Sequence, residues 1–197
     1  MPPAIIIKKI RVVGRGFFFG PDICIFAAYM GNLSYTTHIK YKRGNDLTLS
    51  NKEQMLVKDL MAAEKLSIDK YIKSSSEAKE LGLKNLFSDI CKVEQSHLNE
   101  LQTIMSGADS QAALNSAPAP TVPETVSYDN DADKNADAYL CQDGLSGEKQ
   151  ISGMYEVSVF EFAQPPLRKI LNKIQSEEQS HGQFFYEYMT KANMNAG

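Results

Sequence analysis

Glu94-Gln95-Ser96-His97 returns unchanged as Glu178-Gln179-Ser180-His181, and the two copies hold two of the three histidines in the chain. The same offset of 84 positions (178 − 94) also superposes Glu64-Lys65 on Glu148-Lys149, Tyr71 on Tyr155, Ser74 on Ser158, Glu77 on Glu161, Leu83 on Leu167 and Ile90 on Ile174. An offset held without a gap from 64 to 97 means that one structural unit is present twice. Because the tetrad is polar, the repeat preserves chemistry as well as packing.

The unit reads as a helical hairpin. Ser50-x-x-Glu53 has the form of a capping box, so a helix is expected to start there. Met55, Val57, Leu60, Met61, Glu64, Ile68, Tyr71, Ile72 and Ser75 follow at three-and-four spacing and predict one inward face over residues 51–78. Gly82 marks the turn, and a second helix over 83–105 turns Leu83, Leu86, Phe87, Ile90, Glu94, His97, Leu98, Leu101, Ile104 and Met105 inward before Gly107. In the second unit a helix over 135–163 carries Leu140, Leu145, Glu148, Ser152, Tyr155, Val159 and Phe162. Pro165-Pro166 ends it and opens the next helix, whose face is Leu167, Ile170, Leu171, Ile174, Glu178, His181, Phe185, Tyr188 and Met189.

Glu64 and Glu148 thus stand inside apolar stripes, where a carboxylate costs several kcal/mol unless it is paired, protonated or bound to a cation. Counting at 1.5 Å per residue from the two turns puts Glu64, Glu94 and His97 level across one hairpin, roughly 20 to 25 Å from its turn. Glu148, Glu178 and His181 are level across the other in the same way. One Glu from each of two helices plus Glu-x-x-His from each of the other two is the ligand pattern of dinuclear carboxylate centres in four-helix bundles. Carboxylate oxygens with one imidazole per ion suit iron or manganese, and zinc is compatible with the same donors. Glu94 and Glu178 are placed to bridge two ions, with Glu64 and His97 serving one and Glu148 and His181 the other. Tyr71 and Tyr155, two turns beyond Glu64 and Glu148, are candidate hydrogen-bond donors behind the ligands. Glu77 and Glu161 fall off the inward face and read as capping or ion-pairing groups, Lys65 and Lys149 as surface charges.

The expected organisation is an all-α, ferritin-like four-helix bundle built from two repeated hairpins. Residues 47–107 form the first hairpin, 108–134 a crossover, and 135–193 the second hairpin. The crossover, rich in Ala, Pro, Ser and Asp, is long enough to set the second and third helices parallel. With 197 residues and 43% hydrophobic content the chain can bury one core. A formal charge of −3 offers no basic footprint for nucleic acid. Cys24, Cys91 and Cys141, odd in number and without a CxxC, indicate neither a disulfide framework nor a thiolate zinc site. No phosphate loop, nucleophile motif or membrane-spanning run is present.

Residues 1–46 differ from the rest: an apolar run from Phe17 to Met30 is broken by Gly20, Pro21 and Asp22 and has no helical period. Two readings are open. The stretch is an irregular or short-stranded extension, or it is translated leader and the natural protein starts near Leu47, behind a purine-rich coding sequence for Lys42-Arg43-Gly44.

Residues 141–193, from Cys141-Gln142-Asp143-Gly144-Leu145-Ser146-Gly147-Glu148-Lys149 through Tyr155, Phe160-Glu161 and Pro166-Leu167-Arg168 to Glu177-Glu178-Gln179-Ser180-His181 and Tyr188-Met189, resemble the Coat F family of spore coat proteins, in the form found in anaerobic spore-formers. Residues 47–105 resemble a second, diverged copy. The resemblance implies a ferritin-like fold and a protein made in the mother-cell cytoplasm and deposited on the spore coat, with other coat proteins or further copies of itself as partners. Many members of that family lack a full ligand set, whereas all six positions are filled here. The alternative expectation is therefore a di-iron or di-manganese oxidase, peroxidase or catalase-like enzyme. The chain has no rubredoxin-like cysteine module.

Overall fold

Ser50 and Glu53 form the predicted capping box, the Ser50 amide donating to Glu53 Oε2 (2.7 Å) and the Glu53 amide to Ser50 Oγ (3.2 Å). From it runs the first of four helices in the computed structural model, which describes residues 26–30, 33–37, 48–107 and 117–194. The helices are α1 (Asn51–Glu77), α2 (Leu81–Ser106), α3 (Asp131–Glu161) and α4 (Pro165–Lys191). The chain divides into two units, Met1–Gly44 and Asn45–Gly197. Within the first, β1 (Phe26–Met30) and β2 (Leu33–Thr37) pair antiparallel, with Phe26 opposite Thr37 and Met30 opposite Leu33. The described part of the N-terminal stretch is therefore stranded rather than irregular. The rest of residues 1–46, and the start considered at Leu47, lie outside the described residues.

The second unit is an all-helical four-helix bundle. Each hairpin packs its own two helices together, α1 on α2 and α3 on α4, and the hairpins then meet through α1 on α3 and α2 on α4. Direction follows from two reciprocal clasps. Glu53, at the start of α1, accepts the Ala163 amide just past α3 (3.0 Å). Asp137, near the start of α3, accepts the Lys79 and Glu80 amides just past α1 (2.8 and 2.9 Å). Helices α1 and α3 are thus antiparallel, and α2 runs parallel to α3. Asp137 is 84 positions beyond Glu53 (137 − 53), as Ala163 is beyond Lys79 (163 − 79), so the repeat extends upstream of Glu64 as a pair of acids that each cap the other hairpin's turn.

The seam is narrower than the apolar pattern suggests. Beyond the clasp residues Glu53 and Asp137, the buried positions on α1 are Val57, Leu60, Glu64, Ser67, Tyr71 and Ser74, a near-heptad set, and on α3 they are Cys141, Gly144, Glu148, Ile151, Tyr155 and Ser158. Met55 (66% exposed) and Ile72 (58%), expected inward, face solvent, because the seam follows the polar repeat and not the greasiest stripe. Gly144 admits the Phe185 ring, which an added Cβ would meet at 2.8 Å.

Two boundaries are corrected by their caps. Helix α2 starts at Leu81, with Glu80 as its N-cap accepting the Leu83 amide (2.8 Å), so Gly82 lies in its first turn and not in the connection. Glycine is needed there because Pro123 packs where a Cβ would sit, 2.7 Å from the proline ring. Helix α3 starts at Asp131, four residues earlier than expected: Asn130 caps the Asp133 amide (2.9 Å), and Asp131 and Asp133 favour the positive end of the helix dipole. The aspartates that looked like linker are a helix start.

Nor is the described part of the crossover a bare strap. Pro120 is buried, and Val122, Val126 and Tyr128 pack on the bundle end formed by Leu83, Phe87, Tyr188 and Met189. The Tyr128 hydroxyl donates to Asp137 (2.9 Å) and meets the Tyr188 hydroxyl (2.9 Å), which donates to Glu80 (2.9 Å). Glu161 pairs with Lys52 and Glu77 with Lys73, as ion-pairing groups off the seam. Lys65 and Lys149 are exposed.

Candidate metal centre

Two apolar clusters fill the ends of the bundle. One gathers Val57, Leu60, Leu101, Ile104, Leu167, Ile170 and Leu171; the other gathers Leu83, Leu86, Phe87, Ile90, Phe185 and Met189. Between them lies a polar layer in which Glu64, Glu94, His97, Glu148, Glu178 and His181 are all at most 2% exposed.

Each helix contributes by its register. Glu94 and His97 are one turn apart on α2, as Glu178 and His181 are on α4, so both members of each pair share a face. Glu64 and Glu148 come from the middles of α1 and α3. His97 Nδ1 approaches Glu178 Oε1 at 2.9 Å, Glu94 Oε2 at 3.2 Å and Glu64 Oε2 at 3.9 Å. His181 Nδ1 approaches Glu94 Oε1 at 3.1 Å and both Glu148 Oε2 and Glu178 Oε2 at 3.7 Å. Glu94 and Glu178 therefore turn one oxygen to each histidine. The result is two overlapping donor sets, Glu64, Glu94, His97 and Glu178, and Glu94, Glu148, Glu178 and His181, within each of which one atom per residue lies within 4.8 Å of the others.

Many of these approaches lack the alignment of a hydrogen bond. Glu64 Oε2, Glu94 Oε1, Glu148 Oε2, both oxygens of Glu178 and His181 Nδ1 are buried with no hydrogen-bond partner. Buried polar atoms are normally satisfied, and six such atoms converging on one place fit a cation that accepts their lone pairs. The donor set also fits chemically: hard carboxylate oxygens with one imidazole per position suit iron, manganese or zinc.

The tyrosines cross between hairpins. Tyr71 donates to Glu148 Oε1, and Tyr155 donates to Glu64 Oε1. Each fixes the carboxylate of the other half, leaving its second oxygen for the centre.

Without a cation the layer settles its charge by sharing protons. Burial, with the charges of Glu178 and Glu94, holds the carboxyls of Glu64 and Glu148 well above the usual range; His97 partly offsets this for Glu64, and His181 for Glu148. For the histidines burial favours the neutral ring, but the glutamates facing them outweigh it, and both imidazoles are held well above their ordinary value. Burial likewise opposes ionisation of Glu94 and Glu178, and the two histidines overcome it and keep both carboxyls below the usual range. Burial, aided by the nearby carboxylates, pushes the Tyr71 and Tyr155 hydroxyls well up, so both remain donors.

Two features outside the expected set break the symmetry of the halves. His97 Nε2 meets Glu177 Oε2 at 2.9 Å, and Lys173 links Glu177 (3.6 Å) to Glu100 (2.5 Å). At the positions 84 residues away stand Val93 and Phe184, and the Phe184 ring packs on His181 with centroids 6.4 Å apart. Phe184 is accordingly half-buried, whereas Tyr186 is 55% exposed. The doubled Glu177-Glu178 was the sequence signal for the outer acid, since only one of two neighbouring residues can face the centre.

The second feature is a cleft of about 570 Å³ between α3 and α4, whose floor is Glu148 and Glu178 and whose walls include Leu145, Ser152, Gly153, Gly182 and Tyr186.

Residues 136–194 match the Coat F domain. The chain carries a Coat F domain. The Coat F domain takes in nearly all of α3 and all of α4, that is, one hairpin of the bundle with Glu148, Glu178 and His181. Each such hairpin must bury its inner face against another, and here the partner is the related hairpin on the same chain. No curated protein and no solved structure matches the chain significantly.

Proposed function

We propose that this is a spore coat protein of the Coat F type whose ferritin-like bundle carries a dinuclear iron or manganese centre. Glu94 and Glu178, common to both donor sets, would serve both ions, while Glu64 and His97 would complete one position and Glu148 and His181 the other. The observation that carries the metal reading is the set of six buried, unpartnered donor atoms converging between two apolar clusters. The coat reading rests on the Coat F domain. Ions of this kind supply Lewis acidity, and redox equivalents where the metal changes valence. The chain's own residues do the rest: Tyr71 and Tyr155 orient Glu148 and Glu64, Glu177 orients His97, and the apolar clusters close the two ends of the layer.

The surface proposed for assembly is Met154, Val157 and Phe160, spaced three apart along α3 and 37%, 62% and 84% exposed. The partners proposed are other coat proteins or further copies of this chain. No described helix is long and apolar enough to cross a membrane.

A second reading, a di-iron or di-manganese redox enzyme, is favoured by one observation, the cleft that reaches Glu148 and Glu178. The test of the function joins location to composition. The protein is tracked by antibody through purified forespores, coat extracts and mother-cell lysate, and metal is measured on the recovered and the recombinant chain beside a His97→Ala/His181→Ala variant. Recovery from the coat with about two ions per chain, lost in the variant, is expected. Exclusion from the coat overturns the location, and a folded, metal-free chain after reconstitution with both metals overturns the centre.

A further inference from the structure

The two hairpins are alike in ligands and unlike in what stands beside them. The geometry points to a dinuclear centre open on one side only, where the cleft between α3 and α4 admits a small monoanionic ligand to the ion held by Glu148 and His181, while the ion held by Glu64 and His97 is closed. This rests on the metal reading above.

Three observations carry it. The cleft floor is Glu148, which belongs to the second donor set alone, and Glu178, which both sets share, so anything entering meets the second set first. The cleft is made by small residues: Ser152 and Gly153 on α3, Gly182 on α4. At the matching positions of the first hairpin (each number less 84) stand Ile68, Asp69 and Leu98, and Leu98 is only 6% exposed. Finally, the glycines are not demanded by the backbone. Glycine inside a helix costs about 1 kcal/mol relative to alanine. An added Cβ at Gly153 would meet nothing within 4 Å, and one at Gly182 would meet Leu145 at 3.3 Å and Glu148 at 3.7 Å, the first tight and the second ordinary contact. Open space beside Gly153 gives no packing reason for a glycine. Keeping a passage to the carboxylates clear does.

The ligand class follows from size and charge. The Lys149 ammonium belongs to the cleft wall and favours an anion, while Glu156 on the same wall and the carboxylate floor disfavour a multiply charged one. An open coordination position with an entry path is also what separates a reactive metal site from a structural one.

Azide is the probe, added to the full chain loaded with iron(III) and read by its charge-transfer absorption, with iron content measured on each sample. The variants are Gly182→Leu, which copies Leu98, and Ser152→Ile, which copies Ile68. The expected result is about one azide per chain in the unaltered protein, and at least a tenfold weaker affinity in whichever variants retain two irons. Two irons without azide binding in the unaltered protein overturn the proposal alone, as do variants that keep both irons and bind azide as tightly. An unaltered protein that holds no iron overturns the metal reading itself, a failure visible in the iron analysis before azide is added.

Discussion

Loading the proposed centre should displace protons from the groups whose hold on them the buried layer strengthens. In the ion-free layer four groups hold their protons to a higher pH than they ordinarily would: the carboxyls of Glu64 and Glu148, raised by burial and by the charges of Glu178 and Glu94, and the imidazoles of His97 and His181, raised against burial by the glutamates facing them. Two imidazolium charges then balance the carboxylates of Glu94 and Glu178. A bound pair of divalent ions requires neutral Nδ1 atoms and four ionised carboxylates, again a neutral set. The layer keeps zero net charge either way, which avoids burying an uncompensated charge. The cost is about four protons released per chain, so the joint association constant for two ions changes by about 10⁴ per pH unit while all four are displaced. Mixing the ion-free protein with manganese(II) in weak buffer containing an indicator dye, near pH 6.5, measures the number directly. Release of about four is expected. Stoichiometric binding of two ions with release of two or fewer would refute the reasoning, because it would mean that Glu64 and Glu148 are already ionised in their buried positions.

Stability follows the same shifts. Those four groups bind protons more tightly folded than unfolded, so the unfolded chain holds fewer and the ion-free protein loses stability as pH rises from the ordinary carboxylate and imidazole ranges through the raised folded values. Its Tm is expected to be lower at pH 9 than at pH 6, and manganese should reverse the order; an ion-free Tm that rises between these pH values contradicts the assignment. Asp137→Ala strands two backbone amides at the α1–α2 turn and removes one of the two partners of the Tyr128 hydroxyl, and should cost about 3 kcal/mol in urea unfolding; a loss under about 0.5 kcal/mol would mean that the clasp is incidental. Tyr71→Phe removes the donor behind Glu148 and should weaken one of two ions by about 10- to 100-fold in competition with a chelator, leaving the other nearly unchanged. Equal weakening of both, or of neither, would show that the crossed tyrosines do not orient the carboxylates.

Much of this was legible in the repeat. Because both copies keep Glu, Tyr and Glu-x-x-His at one offset, residue counting alone placed the six donors at one level, and the hairpin connectivity followed from two turns and one long crossover. The chain could not announce the crossed tyrosines: Tyr71 and Glu148 are 77 positions apart and meet only when the hairpins dock. Glu53 and Asp137 escaped for a different reason. They differ in residue type, so an identity match stops short of them, although their offset is the same. Apolar stripes misled where polar groups fixed the seam, as Met55 and Ile72 show, and the aspartates in the first turn of α3 read as linker because cap residues and loop residues are the same types. The asymmetry of the halves was present in the sequence as Gly182 against Leu98 and Glu177 against Val93. Its meaning needed the distances.

The proposed centre places two ions between Glu94 and Glu178. Anomalous diffraction from crystals grown with manganese, collected on both sides of the manganese absorption edge, tests it most directly. The account predicts two peaks per chain, roughly 3.5 to 4 Å apart, one beside Glu64 and His97 and the other beside Glu148 and His181. A fully ordered layer without anomalous density, or manganese bound only at surface carboxylates, would contradict it.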